Sequence, residues 1–293
     1  MQRFVFLLLL AVAGSASAVV IRDDVSDSRY RVAASEFAPL VDLPVEGHGV
    51  LIAPRWVVTA AHAVAWQHKV EVVVLNGVPR AVEQVIIHKG YKKLPQELID
   101  SAMKSCDAVA IVKFFSASDD IALVKLAEPV TDVTPAKVFL ASAAGKQVEI
   151  IGKGATGTGT AGHSPHGPNR TDLRRAFSTV STSDGRWLSY VFRQAPDALP
   201  LEGSAGNGDS GGPLLVKVGN ERQVAGLTSW KGSSDNRLIS HPGKYGQINY
   251  GLRLAHYLDW INATMAAASV ASGTASLPQG GANSQKPVPH RAD

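Results

Sequence analysis

The stretch EGSAGNGDSGGPLLV, residues 202–216, surrounds Ser210 with glycines and then continues as a run of branched apolar residues. Glycine allows a tight backbone turn, and because it has no Cβ it lets N–H groups approach a bound carbonyl closely. Such a turn is suited to presenting a serine beside hydrogen-bond donors. The same G-x-S-x-G spacing occurs in the strand-to-helix turn that carries the nucleophile of α/β-hydrolases. Glycine-rich turns without any catalytic role are commoner than both kinds of catalytic turn. The interpretation therefore depends on whether the chain also supplies a general base.

A histidine and an aspartate elsewhere in the chain are candidates to act with this serine. His62 follows a β-type run in WVVTAAH, and Asp120 precedes one in SDDIALVKL. The order along the chain is His, Asp, Ser, whereas α/β-hydrolases have the order Ser, Asp, His. An α/β-hydrolase turn would also need a helix after the serine, and the GGP that follows Ser210 opposes one. The α/β-hydrolase interpretation is therefore disfavoured.

The blocks TAAH, DIAL and GDSGGP, in this order and at this spacing, resemble those of the trypsin-like (chymotrypsin-fold) serine endopeptidases, peptidase family S1. The similar pattern covers roughly residues 47–261. The resemblance implies an all-β fold of two antiparallel six-stranded β-barrels of the chymotrypsin type with a C-terminal helix. It also implies hydrolysis of peptide bonds through an acyl-enzyme, with a protein or peptide as substrate. We expect no metal and no organic cofactor, since backbone donors and the triad supply the charge stabilisation.

The resemblance assigns a role to each matching residue. Ser210 attacks the scissile carbonyl, His62 takes its proton and later delivers it to the leaving amine, and Asp120 orients the imidazole. The backbone N–H groups of Gly208 and Ser210 form the oxyanion hole. Asp209 is the partner of a newly freed apolar N-terminus. Two other interpretations stay open: a catalytically silent binding module on this fold, and an esterase that uses the same serine.

Four further residues are implied in substrate binding. Ser204 occupies the base of the primary specificity pocket, where trypsin has the aspartate that selects lysine and arginine, so trypsin-like specificity is not expected. Ser229, Trp230 and Lys231 form a wall of the pocket, with a lysine in place of the family's glycine. Lys231 could narrow the pocket to small or apolar side chains, attract an acidic one, or extend its charge into water from the rim. GQINYG, residues 246–251, forms the remaining wall in a register that the sequence leaves open.

The N-terminus has the pattern of an export signal. MQR precedes an apolar run, and Ala16, Ser17 and Ala18 supply the small residues that a signal peptidase needs. The apolar run is shorter than the roughly 20 residues that span a bilayer, so a membrane anchor is the weaker alternative. We therefore expect a signal peptide over 1–18 and a secreted protein, extracellular or periplasmic, without membrane association once the signal is removed.

The residues after the signal depart from the family pattern. The usual start, similar to Ile-Val-Gly-Gly after a basic residue, is absent, and the family spacing counted back from His62 ends near Ile21. One hypothesis is that cleavage after Ala18 itself frees a valine terminus that reaches Asp209. The alternative is a second cut after Arg31.

Composition limits the remaining possibilities. The 293 residues are 45% hydrophobic, enough for a sizeable core, and the net charge of +4 is scattered, so no nucleic-acid partner is expected. Cys106 is the only cysteine, so no intrachain disulfide can form. The absence of disulfides in an exported enzyme favours a bacterial origin. We expect a monomer.

The chain between 49 and 261 consists of short β-type runs separated by turn residues, with no βαβ rhythm. We expect the protease domain over 19–265, the two barrels to divide near 130–145, and a low-complexity tail over 266–293. The loop 152–169 contains His163 and His166, which we expect to be solvent-exposed rather than metal ligands. Apolar spacing from Leu254 to 265 predicts one helix. The predicted strands are GVLIA, WVVTAA, VEVVVL, AVEQVIIH, AVAIVKFF, DIALVKL, QVEIIG, WLSYVF, PLLVKV, QVAGLTSW and INYGLRL.

Overall fold

The computed structural model describes residues 19–163, 172–239 and 241–274. Its strands are β1 Val19–Ile21, β2 Leu40–Asp42, β3 His48–Ala53, β4 Trp56–Ala60, β5 Val72–Leu75, β6 Val78–Ile87, β7 Ile121–Leu126, β8 Gln147–Gly152, β9 Thr156–Thr158, β10 Gly162–His163, β11 Arg174–Asp184, β12 Trp187–Val191, β13 Gly203–Ser204, β14 Pro213–Val218, β15 Glu221–Gly232 and β16 Ile248–Arg253. The α-helices are α1 Ala61–Ala65, α2 Gln96–Ser105, α3 Val109–Ser116 and α4 Leu258–Thr274. None of the helices in the described ranges is long and apolar enough to cross a membrane.

Twelve of the strands form two closed, six-stranded antiparallel barrels, which confirms the predicted fold class. The first barrel has the order β2-β3-β4-β7-β6-β5, and the second has the order β11-β12-β16-β15-β14-β8. Residues 127–146 connect β7 of the first barrel to β8 of the second. Closure of each sheet leaves no unpaired edge, which suits a chain without disulfides.

The first barrel determines where two of the predicted site residues lie. β4 and β7 are buried along their whole length, in agreement with their continuous apolar sequences. Their antiparallel register pairs Ala60 with Ile121. His62 follows the first of these strands and Asp120 precedes the second, so the pairing brings these two side chains to the same end of the barrel.

Three predictions about secondary structure are wrong. AVAIVKFF forms α3 instead of a strand, because a short apolar run fits either element and the Asp107 Oδ1 accepts a hydrogen bond from the N–H of Val109 at 2.8 Å, which satisfies a first-turn amide. The expected loop 152–169 includes β9 and β10. The alanine-rich stretch after 265 continues α4 to Thr274 rather than starting the tail, because alanine favours helix. The remaining tail lies outside the described residues.

A third, smaller sheet joins the start of the described chain to the second barrel. Its order is β10-β9-β1-β13, with β1 parallel to β9 and antiparallel to β13. The guanidinium of Arg174, fully buried, donates to both carboxylate oxygens of Asp27 at 2.7 and 2.9 Å. This ion pair fixes the segment that begins with β1 to the second barrel.

Replacing Asp27 by alanine should therefore destabilise the protein. Loss of one partner of a buried ion pair leaves the other charge poorly solvated, and we expect a cost of about 3 kcal/mol, or a melting temperature lower by about 6–12 °C. Asp24→Ala is the matched control, because Asp24 pairs with Arg22 at an exposed position. Calorimetry that found the two variants equally stable would contradict the assignment.

Candidate active site

The three predicted catalytic side chains meet at the cleft between the barrels. His62 lies in α1, Asp120 directly precedes β7, and Ser210 lies in the turn between β13 and β14. His62 Nδ1 is 2.7 Å from Asp120 Oδ2, and His62 Nε2 is 2.7 Å from Ser210 Oγ. The N–H of His62 also donates to Asp120 Oδ1 at 2.8 Å. One imidazole thus connects a carboxylate to a serine hydroxyl.

The neighbouring carboxylate of Asp120 favours the charged form of His62. Burial lowers the pKa of His62, but the negative charge of Asp120 and its hydrogen bond outweigh burial, so the pKa is raised above the ordinary 6.5. The hydroxyl of Ser229 donates to Asp120 Oδ2 at 2.5 Å. This contact shows that Ser229, predicted as part of the pocket wall, also holds the carboxylate that orients His62.

The turn at Ser210 depends on its glycines. Gly208 and Gly211 have positive φ angles of 83° and 75°, which L side chains rarely adopt. The carbonyl of Ser210 accepts a hydrogen bond from the N–H of His48 at 2.7 Å, which joins the turn to the first barrel. Among the described residues, no acceptor takes the N–H of Gly208 or of Ser210. Both donors are thus available to a ligand oxygen.

Asp209 points away from the nucleophile into the protein. Its side chain is 1% exposed, and its carboxylate accepts hydrogen bonds from the N–H groups of Gly154 and Gly206, both at 2.7 Å. A Cβ at Gly152 would overlap Asp209 Oδ1, so the close approach requires glycine there. Asp209, which the family pattern assigns as the partner of an N-terminus, is therefore buried beside β9.

The first described residues pair with β9, the strand that follows Gly154, one of the donors to this carboxylate. Val19 and Val20 are fully buried, and Val19 has a φ of 67°, a strained value for a β-branched residue. The parallel register pairs Val19 with Thr156. Because the strands run in the same direction, the N-terminal end of β1 lies beside the N-terminal end of β9, which follows Gly154, whose N–H binds Asp209.

A cavity of about 370 Å³ adjoins the triad. Lys231 and Trp230, predicted for the pocket wall, line it together with His62 and Ser210. Ser204, predicted for the pocket base, is fully buried, and its Oγ donates to Asn249 Oδ1 at 2.7 Å. Asn249 belongs to residues 246–251, which the sequence analysis assigned to the pocket wall without a register. Its position follows only from the strand register, which pairs it with Lys231 across β15 and β16.

The helix α3, also missed from the sequence, covers one side of the cavity. The ring of Phe115 stacks on Trp230 at 5.6 Å, and the ring of Tyr250 stacks on the same indole at 3.8 Å. The N–H of Ala108 donates to Asn236 O at 2.8 Å, which joins this helix to the second barrel. Asp107, placed before the apolar run, is the sequence signal that could have identified the helix.

His163 contradicts the expectation of solvent exposure. It lies in β10 with 8% of its surface exposed, because Gly162 is paired with Thr158 and places the histidine between the small sheet and the cavity. Burial lowers its pKa to about 4. His166 lies outside the described residues. No group of three metal-binding side chains occurs in the part of the chain that the structure describes.

Comparisons with known proteins agree with this geometry. The sequence model of the family described as Trypsin matches residues 30–261. Proproteinase E from Bos taurus is 28% identical over 231 residues, covering 74% of this chain and 83% of the relative. The solved structure of neuropsin, a serine protease expressed in the limbic system of mouse brain, has a TM-score of 0.58 at 20% identity and covers 80% of this chain and 98% of its own. The neuropsin likeness supports the fold.

Proposed function

Because the chain belongs to the trypsin family of serine endopeptidases, we propose that it hydrolyses peptide bonds through an acyl-enzyme on Ser210. The observation that carries this proposal is the series of hydrogen bonds from Asp120 through His62 to Ser210, in which both links measure 2.7 Å. A histidine held between a carboxylate and a serine hydroxyl can activate that hydroxyl as a nucleophile.

Acylation begins when Ser210 Oγ attacks the scissile carbonyl carbon and His62 Nε2 takes the hydroxyl proton. The carbonyl π electrons move to oxygen, and the N–H groups of Gly208 and Ser210 bind the resulting anion, each contributing about 10²–10³ in rate. The C–N bond then breaks, and His62 gives its proton to the leaving amine. In deacylation, a water molecule attacks the acyl carbon while His62 takes a proton from it. The ester bond to Ser210 Oγ then breaks, His62 returns the proton to that oxygen, and the carboxylic acid product leaves.

Asp120 acts on the reaction through the histidine. Its acceptance of the Nδ1–H keeps the Nε2 lone pair directed at Ser210 before attack and stabilises the imidazolium afterwards. The hydrogen bonds from Ser229 and from the N–H of His62 hold the carboxylate in that orientation. All three groups are fixed before a substrate arrives, as electrostatic catalysis requires.

The active enzyme in this proposal is exported and begins at Val19, after signal-peptide cleavage behind Ala18. The burial of Val19 and the register of β1 support a terminal amine directed at the carboxylate of Asp209. Cleavage also removes the φ dihedral that is strained at Val19, since that angle exists only while a preceding residue is attached.

The alternative cut after Arg31 fits the structure less well. It would remove β1, the Asp27 carboxylate that pairs with Arg174, and Tyr30, which is fully buried and donates its hydroxyl hydrogen to Glu202 O at 2.9 Å. Each of these losses would leave buried groups of the second barrel without their partners. The start at Val19 keeps all of them.

The pH dependence of catalysis should report the histidine. Because Asp120 raises the pKa of His62 and only the neutral imidazole accepts the serine proton, we expect kcat/KM to rise with pH through an apparent pKa above 6.5. Asp120→Asn should lower kcat by about 10⁴ and move the remaining transition to lower pH. Steady-state kinetics from pH 5 to about 9 measure both effects. An acid limb that Asp120→Asn does not move would contradict the assignment.

Digestion of a proteome-derived peptide mixture tests the proposal, with internal cleavages identified by mass spectrometry. We expect internal cleavages by the mature protein and none by Ser210→Ala. Hydrolysis of activated esters without any peptide cleavage would favour the esterase alternative. Absence of both reactions in correctly processed, folded protein would favour the silent binding module.

A further inference from the structure

The side chains that line the cavity beside the nucleophile carry positive charge and no negative charge. Two of its lining side chains, Lys231 and Arg237, are cationic, and none of the described residues that line it is acidic. α3 contributes only apolar side chains to the lining, including Ile111 and Phe115. A group that enters the cavity next to Ser210 therefore meets apolar walls and positive charge.

Lys231 lies at the centre of this charge. It is half-buried on β15, and within the described part of the chain no hydrogen bond or ion pair satisfies its ammonium group. Two other lysines show the contrast: Lys125 pairs with Glu83 at 2.8 Å and Lys153 pairs with Asp42 at 2.8 Å. Because a partly desolvated cation is costly without an anion, a carboxylate brought by a ligand would gain a strong hydrogen bond there.

Asn249 supplies a second donor on the same surface. It is the direct cross-strand partner of Lys231, and such pairs project from the same face of a sheet. Asn249 is 3% exposed, and its Oδ1 is occupied by the hydroxyl of Ser204. Its Nδ2 has no partner among the described residues. A buried donor of this kind is satisfied when an acceptor atom enters.

On the basis of the proposed peptidase function, we propose that the enzyme cleaves after acidic residues. The side chain on the acyl side of the scissile bond, aspartate or glutamate, enters the cavity, where its carboxylate binds the ammonium of Lys231 and accepts a hydrogen bond from Asn249 Nδ2. Lys231 is the residue that determines specificity. The burial of Ser204 agrees with this assignment, because its hydroxyl is already engaged and is not presented to the substrate.

The preference should weaken at alkaline pH. Burial lowers the pKa of Lys231 to about 8, against the opposing effect of the Asp209 charge. The other titratable or charged groups that line the cavity are His62, His163 and Arg237, and His163 is neutral here because burial lowers its pKa to about 4. The side chain of Lys231 loses its proton as pH rises through about 8, so the acidic-to-neutral ratio of kcat/KM should decrease over that range.

The test compares four proteins on one peptide library: wild type, Lys231→Met, Lys231→Glu and the control Lys217→Met, which changes an exposed lysine on β14. The readout is the ratio of cleavage after aspartate or glutamate to cleavage after alanine, within each protein. We expect a ratio of about ten or more in wild type and control. In Lys231→Met the ratio should fall to about one, and Lys231→Glu should gain cleavage after lysine or arginine.

The outcomes separate this inference from the proposed function. Wild-type cleavage that prefers leucine, phenylalanine or alanine would overturn acid selection while leaving the peptidase assignment intact. A ratio in Lys231→Met equal to that of wild type would overturn the role of Lys231. If wild type cleaves no peptide after either acidic or neutral residues, the proposed function itself fails. A new preference for basic residues in Lys231→Glu cannot come from misfolding, since misfolding does not create activity.

Discussion

Replacing Ser210 by alanine is expected to lower kcat for peptide hydrolysis by about 10⁶, because the acyl-enzyme can no longer form. His62→Ala should cost a similar factor, and the double variant should lose little more than either single one, since the two groups act as a unit. The 2.7 Å contact between His62 Nε2 and Ser210 Oγ is the basis of this non-additivity. Single-turnover kinetics on a fluorogenic peptide, with active enzyme in excess, measure the loss.

The control for this prediction is Ser181→Ala, which changes an exposed serine on β11. It should retain wild-type kcat and KM. Residual cleavage by Ser210→Ala within tenfold of wild type, at rates proportional to the amount of variant, would contradict the role of Ser210.

A protein that keeps Ala18 attached to Val19 should be far less active than one that begins at Val19. The extra residue replaces a terminal ammonium by a neutral amide, so that Asp209, which is 1% exposed, loses the charge partner that we propose. An unpaired buried charge costs about 3–5 kcal/mol, which corresponds to a loss of about 10²–10⁴ in kcat/KM if disordering of the oxyanion hole relieves it. Refolded proteins with and without the added alanine provide the comparison.

Two further proteins make this test specific. A chain that begins with isoleucine at position 19 keeps the ammonium and the β-branched shape, and should remain active. Asp209→Asn with a free Val19 should be as impaired as the extended chain. Full activity in protein that retains Ala18, verified by intact mass, would contradict activation at Val19.

Short sequence blocks were sufficient to predict the fold and the triad. TAAH and DIAL lie at the facing ends of β4 and β7, and the GDSGGP turn needs glycines at two positive φ angles. In these blocks, the residues recognised by their local sequence are also the ones that the fold brings together at the site. The strands of both barrels also carry apolar runs that differ little from the pattern of buried strands in general.

The parts that sequence analysis missed depend on contacts between distant segments. α3 covers the cavity through contacts with residues distant in sequence, such as the stacking of Phe115 on Trp230, and these contacts leave no local pattern. His163 is buried by pairing within a small sheet that includes β1. Asn249 could not be assigned because a shift of one residue in β16 would move it to the other face.

The measurement that tests the central claim most directly is the reaction of the mature protein with a fluorophosphonate, followed by mass-spectrometric mapping of the adduct. Only a serine activated by a neighbouring base and an oxyanion hole reacts rapidly with such a reagent. We expect one adduct, on Ser210, absent from Ser210→Ala and strongly reduced in His62→Ala. No adduct on folded protein that begins at Val19, or an adduct on another serine, would contradict the account.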